Sequence, residues 1–151
     1  MTWTPSLRVV TAANCFAHIE DVHSIVEGIL DLIGPDGVFI SESHYLVGLL
    51  DRLQYDTIYH EHLRYYSLNS LANLLQMHGL EVFHARAIPT HGGSIRVYAA
   101  RRGATDSELL FLLAIARIER HNPTLNAVVF KGYDDARKQA AGNLPEARKL
   151  L

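Results

Sequence analysis

The chain has 151 residues, 48% of them hydrophobic, and a formal net charge of −2 at neutral pH. That is enough apolar material for one globular core, and nothing in the composition points to a disordered or fibrous chain. No basic run is longer than Arg101-Arg102, which leaves no electrostatic footprint for nucleic acid or an anionic membrane, and the apolar stretches Tyr45 to Leu50 and Leu109 to Ala116 are too short to span a bilayer.

In chain order, Leu7 to Ala13 (LRVVTAA) predicts a short strand, and Asp21 to Ile33 a helix, because Val22, Ile25, Val26, Ile29, Leu30 and Ile33 recur at helical spacing. Gly34-Pro35-Asp36-Gly37 is expected to stop that helix, and Val38 to Ser41 (VFIS) to form a second, parallel strand of a βαβ unit. Tyr45 to Leu53 fits a short helix. Ser67 to His78 is amphipathic, with Ser67 as N-cap and Gly79 as its stop. Leu80 to Ile88 and Ile95 to Arg101 read as antiparallel neighbours joined by PTHGGS. A leucine-rich helix is expected from Ala104 to Arg120, then a more polar helical tail from Asn126 to Leu151, broken near Gly142 to Pro145. The single cysteine, Cys15, lies in an apolar run and reads as a buried small hydrophobe. The N-terminus lacks a charged segment followed by an apolar one, so the chain reads as cytoplasmic.

In an open α/β sheet, ligands sit beyond the carboxyl ends of the parallel strands. The loops leaving those ends are NCFAHIED, ESHY with the following YHEH, and PTHGGS, and each carries histidine: His18, His60 and His62, and His91. Such clustering favours function for these histidines. His78 ends a helix, where a cation suits the macrodipole, and solvent exposure accounts for His23, His84 and His121.

The succession AANCFAHIED, GPDGVFISES, QYDTIYHEHLRYYSLNSLANLLQMHGLEVF and PTHGGSIRVYAAR resembles the C-terminal half of the S-adenosylmethionine-dependent nucleotide-sugar C-methyltransferases. The resemblance runs from Leu7 to Arg102, and the YHEH and THGGS motifs together carry it. It implies an α/β fold: the second half of the class I methyltransferase (Rossmann-like) sheet over residues 1–103, with an antiparallel terminal hairpin. Residues 104–151 would be a helical tail that starts the family's C-terminal sugar-nucleotide region. The activity implied is C-methylation of a nucleotide-linked keto-deoxysugar, with S-adenosylmethionine as donor, in deoxysugar biosynthesis. The sequence has no glycine-rich turn after a first strand, no acidic residue closing a second, and no cysteine cluster like the family's zinc-binding N-terminal domain. A donor bound weakly or not at all by this chain alone is therefore expected, with either a homodimer or an N-terminal half on another chain as partner. His44 stands where the family usually has proline.

Methylating carbon requires removal of a proton α to a carbonyl and stabilisation of the enolate, so the site needs a base and donors. Histidine, with an ordinary pKa of about 6.5, suits the first task. By resemblance His62 is the base, Glu61 and Tyr59 orient it or hydrogen-bond the sugar, and His18 lies close to the keto group. Ala13 and Asn14 would contact the cofactor, and His91, Gly92, Gly93, Ser94 and Arg96 the substrate. The residues alone leave other readings open. Tyr59, Tyr65 and Tyr66 either serve the site or pack with their hydroxyls at the surface. Gly92-Gly93 either makes a turn or lets backbone approach substrate. Arg96 pairs either with a phosphate or with a neighbouring carboxylate. Two alternatives from other classes are a non-catalytic subunit lacking the cofactor loop, and a hydrolase-like zinc site built from His60-x-His62 with His18 or His91. The zinc reading is the weaker, since Glu61 lies between the two histidines and cannot easily join both. No metal is therefore assigned.

Overall fold

Two segments rich in β-branched residues lie side by side as parallel strands, β1 (Leu7–Ala13) and β2 (Ile33–His44), joined by α1 (Val22–Leu32). In the computed structural model the described residues are Ser6 to Ala104 together with Ile115 and Arg120. The chain continues through α2 (Leu46–Asp51), a 3₁₀ turn at Tyr55–Thr57, α3 (Leu68–Met77), β3 (Leu80–Ile88), a second 3₁₀ turn at Thr90–Gly92 and β4 (Ser94–Arg101). The four strands form one sheet in the order β1-β2-β4-β3, with β4 antiparallel to both its neighbours. A parallel pair closed by an antiparallel hairpin is the half-sheet that the resemblance implies. The helix and tail expected beyond Ala104 lie outside the described residues, apart from Ile115 and Arg120.

Local chemistry explains the element boundaries. The Asp21 carboxylate accepts from Ser24 N at the start of α1, and Ser67 and Ser70 cap α3 reciprocally. Gly79, at φ 82°, turns the chain out of α3. The stop expected at residues 34–37 takes a different form. The register of β1 against β2 passes from Leu7↔Ile33 directly to Val9↔Val38, so GPDG bulges within β2 instead of forming a separate loop. Gly37 is required there: a Cβ would lie 2.6 Å from the Leu7 carbonyl oxygen and would collide with Ile33.

Alternation along the strands gives each sheet face its own cover. Phe39, Val97 and Ala99 pack with Phe16, Val26, Ile29, Leu71, Leu75 and Leu80, beneath α1 and α3. The other face carries Val38, Ile40, Tyr98 and Ala100, with Ile115 seated on them. Each fully buried large side chain stabilises by about 1.5–3 kcal/mol. Cys15 packs against the first cluster, and burial pushes its thiol pKa up. Two histidines expected to be merely exposed are engaged. His23 Nδ1 lies 2.8 Å from His78 Nε2, joining α1 to the end of α3, and His84 is half-buried against Tyr98 with its pKa lowered to about 4 by burial and then by Arg86.

Candidate active site

The three histidine-bearing loops leave the same edge of the sheet, and main-chain bonds stitch two of them together. Leu63 N donates to Ala17 O at 2.8 Å, and the Arg64 guanidinium donates to Ile19 O at 2.6 Å and Glu20 O at 3.1 Å. The YHEH segment is thereby fixed against the loop that follows β1. Within it, His62 N donates to Tyr59 O at 3.1 Å, so residues 59–62 form a turn and not an extended run. His60 and Glu61 occupy the exposed centre of that turn.

The hydrogen bonds of the two site histidines assign their tautomers. His62 Nδ1 is 3.0 Å from the Thr57 carbonyl oxygen, and His18 Nδ1 is 2.8 Å from the Glu61 carbonyl oxygen. A carbonyl only accepts, so each Nδ1 carries a proton, and in the neutral ring Nε2 is then the nitrogen with the lone pair. The rings stand with centroids 4.7 Å apart. Tyr59 stacks on His62 at 4.4 Å and places its hydroxyl 3.3 Å from Nε2, where it donates. Tyr65 meets the same ring edge-on and also donates to Thr57 O, at 3.1 Å. Glu61 thus reaches the pair through its backbone, holding His18; among the described residues its carboxylate makes no recorded hydrogen bond to His62.

The PTHGGS loop is held separately. Thr90, His91 and Gly92 form the 3₁₀ turn, with His91 at φ 51°, Gly92 at φ 75° and Gly93 at φ 130°. The left-handed region explains the glycine pair. The close approach there is by protein: Gly92 O accepts from Arg52 at 2.6 Å and from Gln54 Nε2 at 2.8 Å, while His44 Nε2 donates to Gln54 Oε1 at 3.0 Å. His44, the departure from the family's proline, therefore ties the end of β2 to this loop. Ser94 is buried and donates to Thr90 O. Arg96 is 2% exposed and gives Glu42 two bonds, at 3.0 and 2.7 Å, which is the carboxylate pairing of the two readings left open. Burial, the largest single influence, works against its charge, but the hydrogen bonds and charge interactions with Glu42 and Tyr98 together outweigh it and hold its pKa above the ordinary value. Ala13 and Asn14 are exposed at the end of β1, with Asn14 at φ 54° and its N–H donated to Glu42 O.

Several contributors were not legible as site residues. Thr57 acts through a carbonyl, which leaves no mark in a sequence. Glu42 had one available signal, a carboxylate ending an apolar strand with an arginine in the neighbouring strand. Among the described residues no group of three His, Cys, Asp or Glu side chains could hold a metal ion. Among them, too, no helix is long and apolar enough to cross a membrane.

Residues 6–85, more than half of the chain, match the family described as methyltransferase domain. The chain belongs to this methyltransferase family. Over 97 residues the methyltransferase chain is 48% identical to C-methyltransferase NovU of Streptomyces niveus, a match covering 64% of this chain and 23% of NovU. It therefore spans about a quarter of that curated relative. Among solved structures it is similar to a chain in the complex of the Haloferax volcanii Trm112 methyltransferase activator with a methyltransferase, with TM-score 0.54, 16% identity, and coverage of 66% of this chain and 56% of that one. The SAM-dependent methyltransferase TM1293 of Thermotoga maritima matches with TM-score 0.52 and 11% identity, over 66% and 57% of the two chains. At such identities the likeness is of fold: an α/β, partial class I methyltransferase sheet.

Proposed function

We propose that this methyltransferase chain supplies the proton-abstracting side of an S-adenosylmethionine-dependent C-methyltransferase acting on a nucleotide-linked keto-deoxysugar. The observation that carries the reading is the His62 ring, whose Nδ1–H is spent on Thr57 O so that Nε2 presents a lone pair beside Tyr59 and His18. The 48% identity with a C-methyltransferase supports it.

In this reading His62 Nε2 takes the proton α to the ketone. The Tyr59 O–H that donates to the single Nε2 lone pair must first turn away to the ketone oxygen, where it donates to the developing enolate while Nε2 accepts the α proton. His91, with the backbone of Gly92 and Gly93, lines the substrate side. Arg96 and Ser94 serve that side from beneath, since neither side chain is exposed. A sulfonium donor brings the electrophilic methyl group. The described residues do not make a whole site for it: the Asn14 N–H is already donated, the start of α1 is occupied by the Asp21 carboxylate, and no glycine-rich strand-to-helix turn is present among them. Ala13 and Asn14 remain the proposed contacts to the donor at the end of β1.

Proton abstraction can be followed without methyl transfer, as deuterium uptake at the α carbon of a nucleotide-linked keto-deoxysugar in D₂O. His62→Ala is expected to slow this about 10²- to 10⁴-fold, the range for loss of a general base. A His62→Ala protein that exchanges like wild type would remove His62 from the role.

A further inference from the structure

Three loops have to stay in register for the proposed site to work, and one residue of the strand that leads to the second loop bonds the supports of the other two. Glu42, near the end of β2, accepts the Asn14 N–H at its backbone oxygen, 2.8 Å away, which anchors the loop after β1. Its side-chain Oε1 accepts from Thr90 Oγ1 at 3.2 Å, the first residue of the turn after β3, and its Oε2 accepts both bonds from Arg96 in β4. Two positions on in β2, His44 reaches Gln54 and through it Gly92 O, on the path to the YHEH turn. Glu42 and Arg96 are direct cross-strand partners, and Arg96 in turn faces Arg86 in β3. A carboxylate placed there neutralises the sheet's charge, but neutralisation alone would not need the third bond, to Thr90.

Resting on the functional reading above, we propose that Glu42 is a positioning residue: its carboxylate fixes the Thr90–Ser94 loop relative to the strand ends that carry the His18 and His62 loops. It contacts no reacting atom. Its effect is on how well the substrate side meets the base, so turnover should change more than affinity.

Thr90→Val separates this role from charge balance, because it removes the bond to Oε1 and leaves the Arg96 pair intact. In the full chain, amide exchange at Gly93, whose N–H is held by Thr90 O, and at Tyr45, whose N–H is held by Gly93 O, should quicken about tenfold or more, as expected for losing a bond to a charged acceptor. The α-deuteration rate should fall by a similar factor at saturating keto-sugar, with KM changed less than about twofold, and any fall in thermal stability should not exceed what the loss of that one bond accounts for. Glu42→Gln should reproduce the loss, and the double variant should be no slower than Glu42→Gln alone, the non-additivity of one shared link. Thr90→Val with wild-type amide exchange and wild-type turnover, or effects of the two variants that multiply, would reduce Glu42 to a counter-ion for Arg96 and overturn the proposal. A wild-type chain that exchanges no α-deuterium defeats the functional reading separately, and the amide measurement then decides alone whether Glu42 couples the loops.

Discussion

A histidine's role here is set by what its second nitrogen meets. His62 and His18 each give Nδ1–H to a backbone carbonyl, with the Tyr59 hydroxyl on the Nε2 of His62, whereas His84, packed against Tyr98, is held neutral by burial and then by Arg86, its pKa lowered to about 4. That depression has a sign. Between about pH 6.5 and 4 the unfolded chain binds a proton at this position that the folded chain refuses, so the stability it represents is fully present above 6.5 and is lost as pH falls toward 4. Chemical denaturation at pH 7 and pH 5 should show the weaker fold at pH 5, and His84→Phe should flatten the difference. An unchanged difference in that variant would assign the acid sensitivity to other groups. Histidine's identity and the clustering of four of them at one edge were legible in the sequence. The carbonyls that choose the tautomers were not, since Thr57 and Glu61 contribute atoms that every residue has.

At the level of elements, the strands and helices follow from periodicity because each buries one face, and their ends follow from caps that sequence displays: Asp21, Ser67, Gly79. The GPDG segment was misread because turn residues look the same whether they separate two elements or bulge within one. Its packing gives a test. Gly37→Ala forces a methyl group against the Leu7 carbonyl oxygen, which is main chain and cannot swing aside, so a loss of about 1–3 kcal/mol is expected in urea unfolding. A neutral result would show the bulge to be pliable. The outer side of β1 offers a second test. Asn14 N–H points to β2, so by alternation the N–H groups of Val10 and Ala12 do too, while those of Val9 and Thr11 point outward. Among the described residues nothing pairs with that side, and Arg8, its main charged deterrent, is drawn to Asp36 at 3.4 Å. Such an edge is a template for a second copy. Self-association is expected at tens of micromolar, and Thr11→Pro should shift the sedimentation profile toward monomer, because it removes an outward donor only. Val10→Pro should instead unfold the sheet. A wild-type protein that sediments as a monomer would end this expectation.

For the molecule as a whole, the fold places the three histidine-bearing loops together at one edge of a half-sheet, among the described residues. The fold class was readable because motif spacing and strand order agree, and the site was readable as a neighbourhood. Its internal wiring, through Glu42, Gln54 and Arg64, came only with the structure, because side-chain contacts across 38 to 54 positions leave no local pattern. Calorimetry on this chain should find S-adenosylmethionine bound weakly or not at all; a dissociation constant in the low micromolar range would overturn this expectation.

The main-chain clamp on His62 and His18 has a consequence for anyone mapping this chain by substitution. The two groups that select the tautomers are peptide oxygens, and no codon change deletes a peptide oxygen. A saturation scan should register Thr57 only through its side-chain bond to Gln54 O, while His62 and Tyr59 go dark, so the carbonyl that orients the proton would escape the scan. Only chemistry on the backbone itself, such as an ester in place of the amide that carries the Thr57 carbonyl, would weaken that acceptor and test the hold on the proposed base apart from the Thr57 side chain, which donates to Gln54 O.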